Sequence, residues 1–166
     1  MPVDVFLADV EARALPRLPA AAIFLTTTTE GTPPIMRWHA DRFGSLHARL
    51  LALRVAIEPV PRIDEARRLS VAQLAPGFWR MTGRFGFIER PDVPALLVAA
   101  RAVGVGLEGV AVTYFVGDET ALSGPRHRAW LFGILARAAT HPSDYFRLPP
   151  NGVVEIDHRG RPRKRN

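Results

Sequence analysis

Seven consecutive uncharged residues, Val110-Ala111-Val112-Thr113-Tyr114-Phe115-Val116, run directly into Gly117-Asp118-Glu119-Thr120. β-branched, aromatic and small side chains without a charge suit a strand covered on both faces, and the Gly-Asp pair stops it and turns the chain into a polar loop. Such a strand needs hydrogen-bonded neighbours on both edges and an apolar layer on each face. The expectation is therefore an α/β sandwich: a mixed, mostly parallel sheet with this stretch as its central strand and helices on both faces.

A chain of 166 residues is long enough for one domain with a real core. Residues 20–157 are expected to form that domain, residues 1–19 an N-terminal helix and connector, and residues 158–166 a basic disordered tail. With 22 basic and 16 acidic residues the formal charge is +6, and Arg159, Arg161, Arg163, Lys164 and Arg165 alone supply five of those charges. The body is thus close to neutral and does not read as a nucleic-acid-binding domain. Without cysteine, disulfides, thiol catalysis and cysteine-held metals are excluded. Acidic residues in Met1–Ala14 argue against a signal peptide, and Arg101, Glu108 and glycines interrupt the longest apolar stretch, Pro94–Val112, so no membrane span is expected.

Along the chain, Asp4 is expected to cap a short helix with Phe6, Leu7, Val10 and Ala14 on one side, ended by Pro16 and Pro19. Ala20–Thr26 reads as a buried strand and Thr27–Pro34 as a loop. A short helix is expected near Phe43–His47, and strands at Arg49–Glu58 and Leu69–Leu74. Phe78–Phe87 alternates Trp79, Met81, Phe85 and Phe87 with Arg80, Thr82 and Arg84, the period of a strand with one buried face. Through the Ala75-Pro76-Gly77 turn it should form an antiparallel hairpin with Leu69–Leu74. Asp92, Pro94 and Gly104 bracket a helix whose inner stripe is Leu96, Leu97, Ala100 and Val103. After Gly124-Pro125 a further helix should carry Trp130, Leu131, Ile134, Leu135 and Ala138, followed by a short strand at Val153–Ile156.

Gly104-Val105-Gly106-Leu107-Glu108-Gly109 spells a dinucleotide fingerprint, but the mechanism needs a strand before it and a helix after. Here the order is reversed, so a simple turn is expected. The histidines, His39, His47, His127, His141 and His158, show no metal-binding spacing, and structural roles are expected for them. No serine sits in a Gly-x-Ser-x-Gly elbow. No catalytic residue and no metal site are assigned, and the chain is not read as an enzyme. Arg84, Glu89, Arg90 and Asp92 read as surface ion pairing around a strand end. Crevices of open α/β sheets lie beyond the carboxyl ends of parallel strands. The expected ligand or interface surface is therefore Thr26, Thr27, Thr28 and Gly31 after one strand, with Tyr114, Phe115, Gly117, Glu119 and Thr120 at the other. The basic tail would be attracted to anionic lipid if held near a membrane.

Several motifs in one order resemble a known family. They are Arg17-Leu18-Pro19, Ala22-Ile23-Phe24-Leu25-Thr26, Pro33-Pro34, Leu46-His47 and Phe78-Trp79-Arg80 through Arg84-Phe85-Gly86-Phe87. Pro91-Asp92-Val93-Pro94, Tyr114-Phe115-Val116-Gly117-Asp118-Glu119-Thr120, Ala138-Ala139-Thr140, Asp144-Tyr145-Phe146-Arg147-Leu148-Pro149-Pro150-Asn151 and Val153-Val154-Glu155 continue the series. From about Phe6 to Ile156 the chain is similar to the cytosolic C-terminal domain of Kup-type potassium uptake permeases. The resemblance implies a universal stress protein-like fold and a regulatory, homodimerising role at the cytoplasmic face of the cell membrane. Its partner would be the membrane domain of a proton-coupled potassium symporter, and an adenine or cyclic dinucleotide is an implied ligand. The chain departs from the family's pattern at Trp38–Phe43, at Pro19-Ala20 and in its basic end. The competing expectation is a free-standing stress-protein-like nucleotide-binding domain.

Overall fold

The computed structural model describes residues 1–117 and 142–156. Helix α1 (Val3–Ala12) leads into β1 (Arg17–Leu25), α2 (Pro34–Phe43), β2 (Leu46–Glu58), a single turn α3 (Glu65–Arg68) and the strands β3 (Leu69–Ala75) and β4 (Phe78–Gly86). Helix α4 (Val93–Ala102), β5 (Val112–Gly117), the short α5 (Pro142–Tyr145), a 3-10 turn at Pro150–Gly152 and β6 (Val153–Ile156) follow. The strands form one sheet in the order β3-β4-β2-β1-β5-β6. Among the described strands only β3 against β4 is antiparallel; β1–β2, β1–β5, β2–β4 and β5–β6 are parallel. The chain is thus α/β with a mixed, mostly parallel sheet.

Alternation along the strands divides the core in two. Ala21, Ile23 and Leu25 of β1 share one face with Leu51, Leu53, Met81, Phe85, Tyr114 and Val116, under Leu96, Leu97 and Ala100 of α4 and Tyr145, Phe146 and Leu148. Ala22 and Phe24 look the other way, with Leu50, Ala52, Phe78 and Phe115, under Phe6 and Val10 of α1 and Met36 and Ala40 of α2. Helices therefore cover both faces.

The uncharged stretch that suggested the centre of the sheet is interior but not central. Its strand begins at Val112 and lies between β1 and the short edge strand β6. The middle belongs to β1 and β2, whose runs Ala21–Leu25 and Leu50–Leu53 are buried on both faces. Strand β1 starts at Arg17, earlier than Ala20, because Pro19 is accommodated where the pairing with β2 shifts register between Leu18 and Ala21. The helix expected near Phe43–His47 is instead α2, entered at Pro33-Pro34 and closed by Gly44. Proline fits a first helical turn, and Gly44 supplies the left-handed cap (φ 59°) while its N–H donates to the Ala40 carbonyl. Leu46 and His47 already belong to β2.

Other corrections are local. Helix α1 begins after Pro2 with no side-chain cap, so Asp4 lies in its first turn; Ala14 is exposed beyond the helix, with φ 48°. Phe87 is 39% exposed because β4 ends at Gly86, and Val103 is 65% exposed just past α4. The β3–β4 hairpin, α4 and β6 form as expected. The expected helix after Pro125 lies outside the described residues.

At α4, Asp92 Oδ1 accepts from the Ala95 N–H at 2.9 Å, and Oδ2 accepts from Arg147 at 3.1 Å. Asp92→Ala should cost about 1 kcal/mol through the lost cap, read as a lower urea midpoint with unchanged slope. At Gly86 a Cβ would stand 2.1 Å from the Pro61 carbonyl oxygen, a backbone atom that cannot swing aside. Gly86→Ala should therefore be the harsher change, costing about 3 kcal/mol or more.

Candidate functional site

All the parallel strands end at one edge of the sheet, and their connections diverge there. From β1 the chain crosses through α2 to β2 on one side, whereas from β4 it crosses through α4 to β5 on the other. The order therefore reverses between β1 and β5, which run side by side with Leu25 opposite Val116. Ligand crevices in open α/β sheets form at such a point. The loop after Thr26 and the end of β5 at Gly117 both open there.

Thr26 is buried, with its N–H on the Leu53 carbonyl at 2.9 Å and its Oγ1 accepting from the Thr28 N–H at 3.0 Å. Thr27 and Thr28 are half-buried. Gly31 adopts φ 70°, and its carbonyl accepts from the Arg80 guanidinium. A Cβ at Gly31 would stand 2.6 Å from the Met1 carbonyl oxygen, which also accepts from the Thr32 N–H at 2.8 Å. The loop is thus folded onto the chain just before α1. Gly117 lies beneath the first turn of α2, where a Cβ would sit 3.4 Å from Ile35 Cδ1. The structure thus brings Thr26–Thr28 to the same edge as Gly117. It separates Tyr114 from Phe115, which enter opposite cores. Glu119, Thr120 and the tail from Arg159 to Arg165 lie outside the described residues. The glycine-rich Gly104–Gly109 segment follows a helix and precedes a strand, with φ 94° at Gly104 and 63° at Gly109, the geometry of a turn.

Two features escaped the sequence. Under α2, His39 and His47 are 3% and 7% exposed, with ring centroids 5.6 Å apart. Phe115 lies 4.6 Å from His39 and 6.0 Å from His47, Phe24 lies 5.6 Å from His39, and Phe43 lies 4.8 Å from it. Neither Nδ1 has a hydrogen-bond partner. Burial, helped by the neighbouring His47, pushes His39 down to about 4, and burial also lowers His47. Among the described residues no group of three His, Asp or Glu could hold a metal ion.

The second is a clasp beside β4. Glu89 Oε1 accepts from Arg68 at 2.7 Å, while Oε2 accepts from the backbone N–H groups of Gly86 and Ile63 at 2.6 and 3.1 Å. The Arg68 guanidinium holds the Glu89 carboxyl down at about 2, with the two N–H groups adding to the effect. Arg68 also donates to the carbonyls of Ile63 and Arg84 and lies 5.1 Å from the centroid of the Phe85 ring. The surface cluster expected at Arg84, Glu89, Arg90 and Asp92 is therefore not one cluster. Arg84 pairs with Glu58, Asp92 pairs with Arg147, and Arg90 donates to the Asp144 carbonyl.

No solved structure matches the chain. Among curated proteins it is 42% identical over 162 residues to the probable potassium transport system protein Kup 1 of Bradyrhizobium sp. (strain ORS 278), covering 94% of this chain and 26% of that protein. It is 41% identical over 163 residues to probable Kup 2 of Paramagnetospirillum magneticum (strain ATCC 700264 / AMB-1), covering 94% of this chain and 25% of that protein. With the probable Kup protein of Anaeromyxobacter dehalogenans (strain 2CP-C) it shares 36% identity over 166 residues, at the same two shares. The chain thus spans about a quarter of the length of these relatives. The family described as K+ potassium transporter C-terminal domain matches residues 19–159, and this chain belongs to that family.

Proposed function

We propose that this chain serves as the regulatory and dimerising cytosolic domain of a proton-coupled potassium uptake transporter and does not itself conduct. The observation that carries this reading is the pairing of family with extent: the chain corresponds to about a quarter of potassium transport proteins. Among its described residues no helix is long and apolar enough to cross a membrane. In this reading potassium moves through a membrane domain, and this α/β unit adjusts it from the cytoplasmic face. A ligand or partner that binds one arrangement of the paired domains better than another biases the membrane part by that difference in affinity. The crevice between β1 and β5, bordered by Thr26, Thr27, Thr28 and Gly117, is the proposed seat of an adenine nucleotide or cyclic dinucleotide. The basic tail, Arg159 to Arg165, would meet anionic lipid.

Ligand binding and pairing are tested on the purified chain. A nucleotide bound with a dissociation constant near 100 μM and supplied at about 1 mM should raise the melting temperature by about 3 °C or more. Gly31→Ala, which cannot keep both its φ and its distance from Met1, should abolish that shift. Absence of any shift across adenine nucleotides and cyclic dinucleotides would remove the ligand site. Sedimentation should give twice the monomer mass, and a strict monomer at about 100 μM chain would remove self-pairing through this unit.

A further inference from the structure

A charged imidazole asks for hydrogen-bond acceptors, water or a carboxylate. Among the described residues, neither His39 Nδ1 nor His47 Nδ1 finds such a partner. Phe24, Phe43 and Phe115 ring the pair, and Phe6, Val10, Met36 and Ala40 complete that core. Both Nδ1 atoms are buried and unpartnered.

The charged groups described around the pair are engaged elsewhere or exposed. From the segment after α1, Arg13 pairs with Asp41 at 2.6 Å and reaches the Ala40 carbonyl; from β1, Arg17 reaches the carbonyl of His47 itself. On α2, Asp41, Arg37 and Arg42 are exposed, and Asp41 is engaged by Arg13 and Arg37. On β2, Arg49 reaches toward Gly106 on the α4 side. Strand β5 contributes only Phe115, since Tyr114 belongs to the opposite core, and on β6 the alternation puts Glu155 on that opposite side as well. Among the described residues no carboxylate contributes to the electrostatics of either ring.

We propose that His39 and His47 form a proton-operated latch: uptake of a proton by this caged pair releases α2 from the sheet and with it the Thr26–Pro33 loop. Of the two rings, His39 is the one that moves. His47 sits on β2, locked by parallel pairing to β1 opposite Leu18. His39 sits on a ten-residue helix whose buried residues are Met36, His39 and Ala40. Swinging α2 outward hydrates both rings without breaking a strand pair. Because α2 begins right after the loop and covers Gly117 with Ile35, its release opens the edge between β1 and β5.

The direction with pH follows from the depressed folded values. Above the ordinary histidine value of about 6.5 both states are neutral and the latch is closed. As pH falls from there toward about 4, where His39 titrates in the closed state, the open state binds more protons. Opening is then favoured by roughly tenfold per pH unit for each imidazole involved. The Arg68–Glu89 clasp fails in a separate window, since its stabilisation is lost only as pH falls from the ordinary carboxylate range toward about 2.

The test is amide hydrogen exchange on the whole 166-residue chain at pH 7 and pH 5, expressed as protection factors so that intrinsic rates cancel. Residues 38–43 of α2 should lose protection about tenfold or more relative to β2 and β4, and His39→Phe should abolish most of that differential loss. Equal change in α2 and in the strands, or a full differential loss in His39→Phe, would overturn the latch. If His39→Phe does not fold, NMR titration of the wild-type rings decides: His39 should titrate well below 6.5 with α2 amide shifts following it. Ordinary titration, or titration without an α2 response, would overturn the proposal. The measurement reads the chain alone, so it stands or falls separately from transport regulation.

Discussion

Everything in this domain hangs on β1 being enclosed on four sides. Its edges are paired in parallel to β2 and β5, and Ala21 to Leu25 are at most 1% exposed. A parallel strand in that position cannot close onto its neighbours by tight turns; each crossover must travel over a face of the sheet. That requirement sends α2 over one face and α4 over the other. It also sets the reversal of strand order beside β1. The candidate crevice is thus a by-product of burying one strand completely.

The same enclosure explains why the site is built from loops and helix starts. Phe24 and Phe115 stack at 4.9 Å with an interplanar angle of 14° beneath α2, and the opposite layer is packed with Ile23, Leu25, Tyr114 and Val116. Among the described residues the polar groups set into these layers are few: the two histidines in the aromatic one and the Tyr114 and Tyr145 phenols in the other. Polar groups gather instead where the strands stop, at Thr26, Thr28 and the backbone around Gly31.

How much of this could be read from the residues depended on whether the signal was local. The β4 alternation, the Asp92 cap and the short β6 are written in neighbouring side chains and appear where expected. Helix α2 was missed because its residues are largely polar or aromatic, so the segment is not apolar overall, and its two clearest signals, Pro34 at the start and Gly44 at the end, read equally well as loop punctuation. Strand rank was misjudged because Val112–Val116 looks as apolar as β1, and composition does not tell an interior strand from the middle one. The histidine cage and the Arg68–Glu89 clasp are products of tertiary structure. His39 and His47 belong to different elements, as do Arg68 and Glu89, and no spacing rule marks either pair. The ends of β1 near Thr26 and of β5 at Gly117 were legible because strand termini are a local signal, yet Tyr114 and Phe115 were grouped although alternation sends them to opposite faces.

The Arg68–Glu89 clasp ties the β3–β4 flank of the sheet through backbone groups. One carboxylate rivets the backbone at Gly86 and Ile63, and one guanidinium rivets the carbonyls of Ile63 and Arg84. The flank carrying β3 and β4 is therefore stitched by charge to the segment before α3. On the other flank α2 rests on the Phe24 and Phe115 rings and is tied at its exposed edge by the Arg13–Asp41 pair.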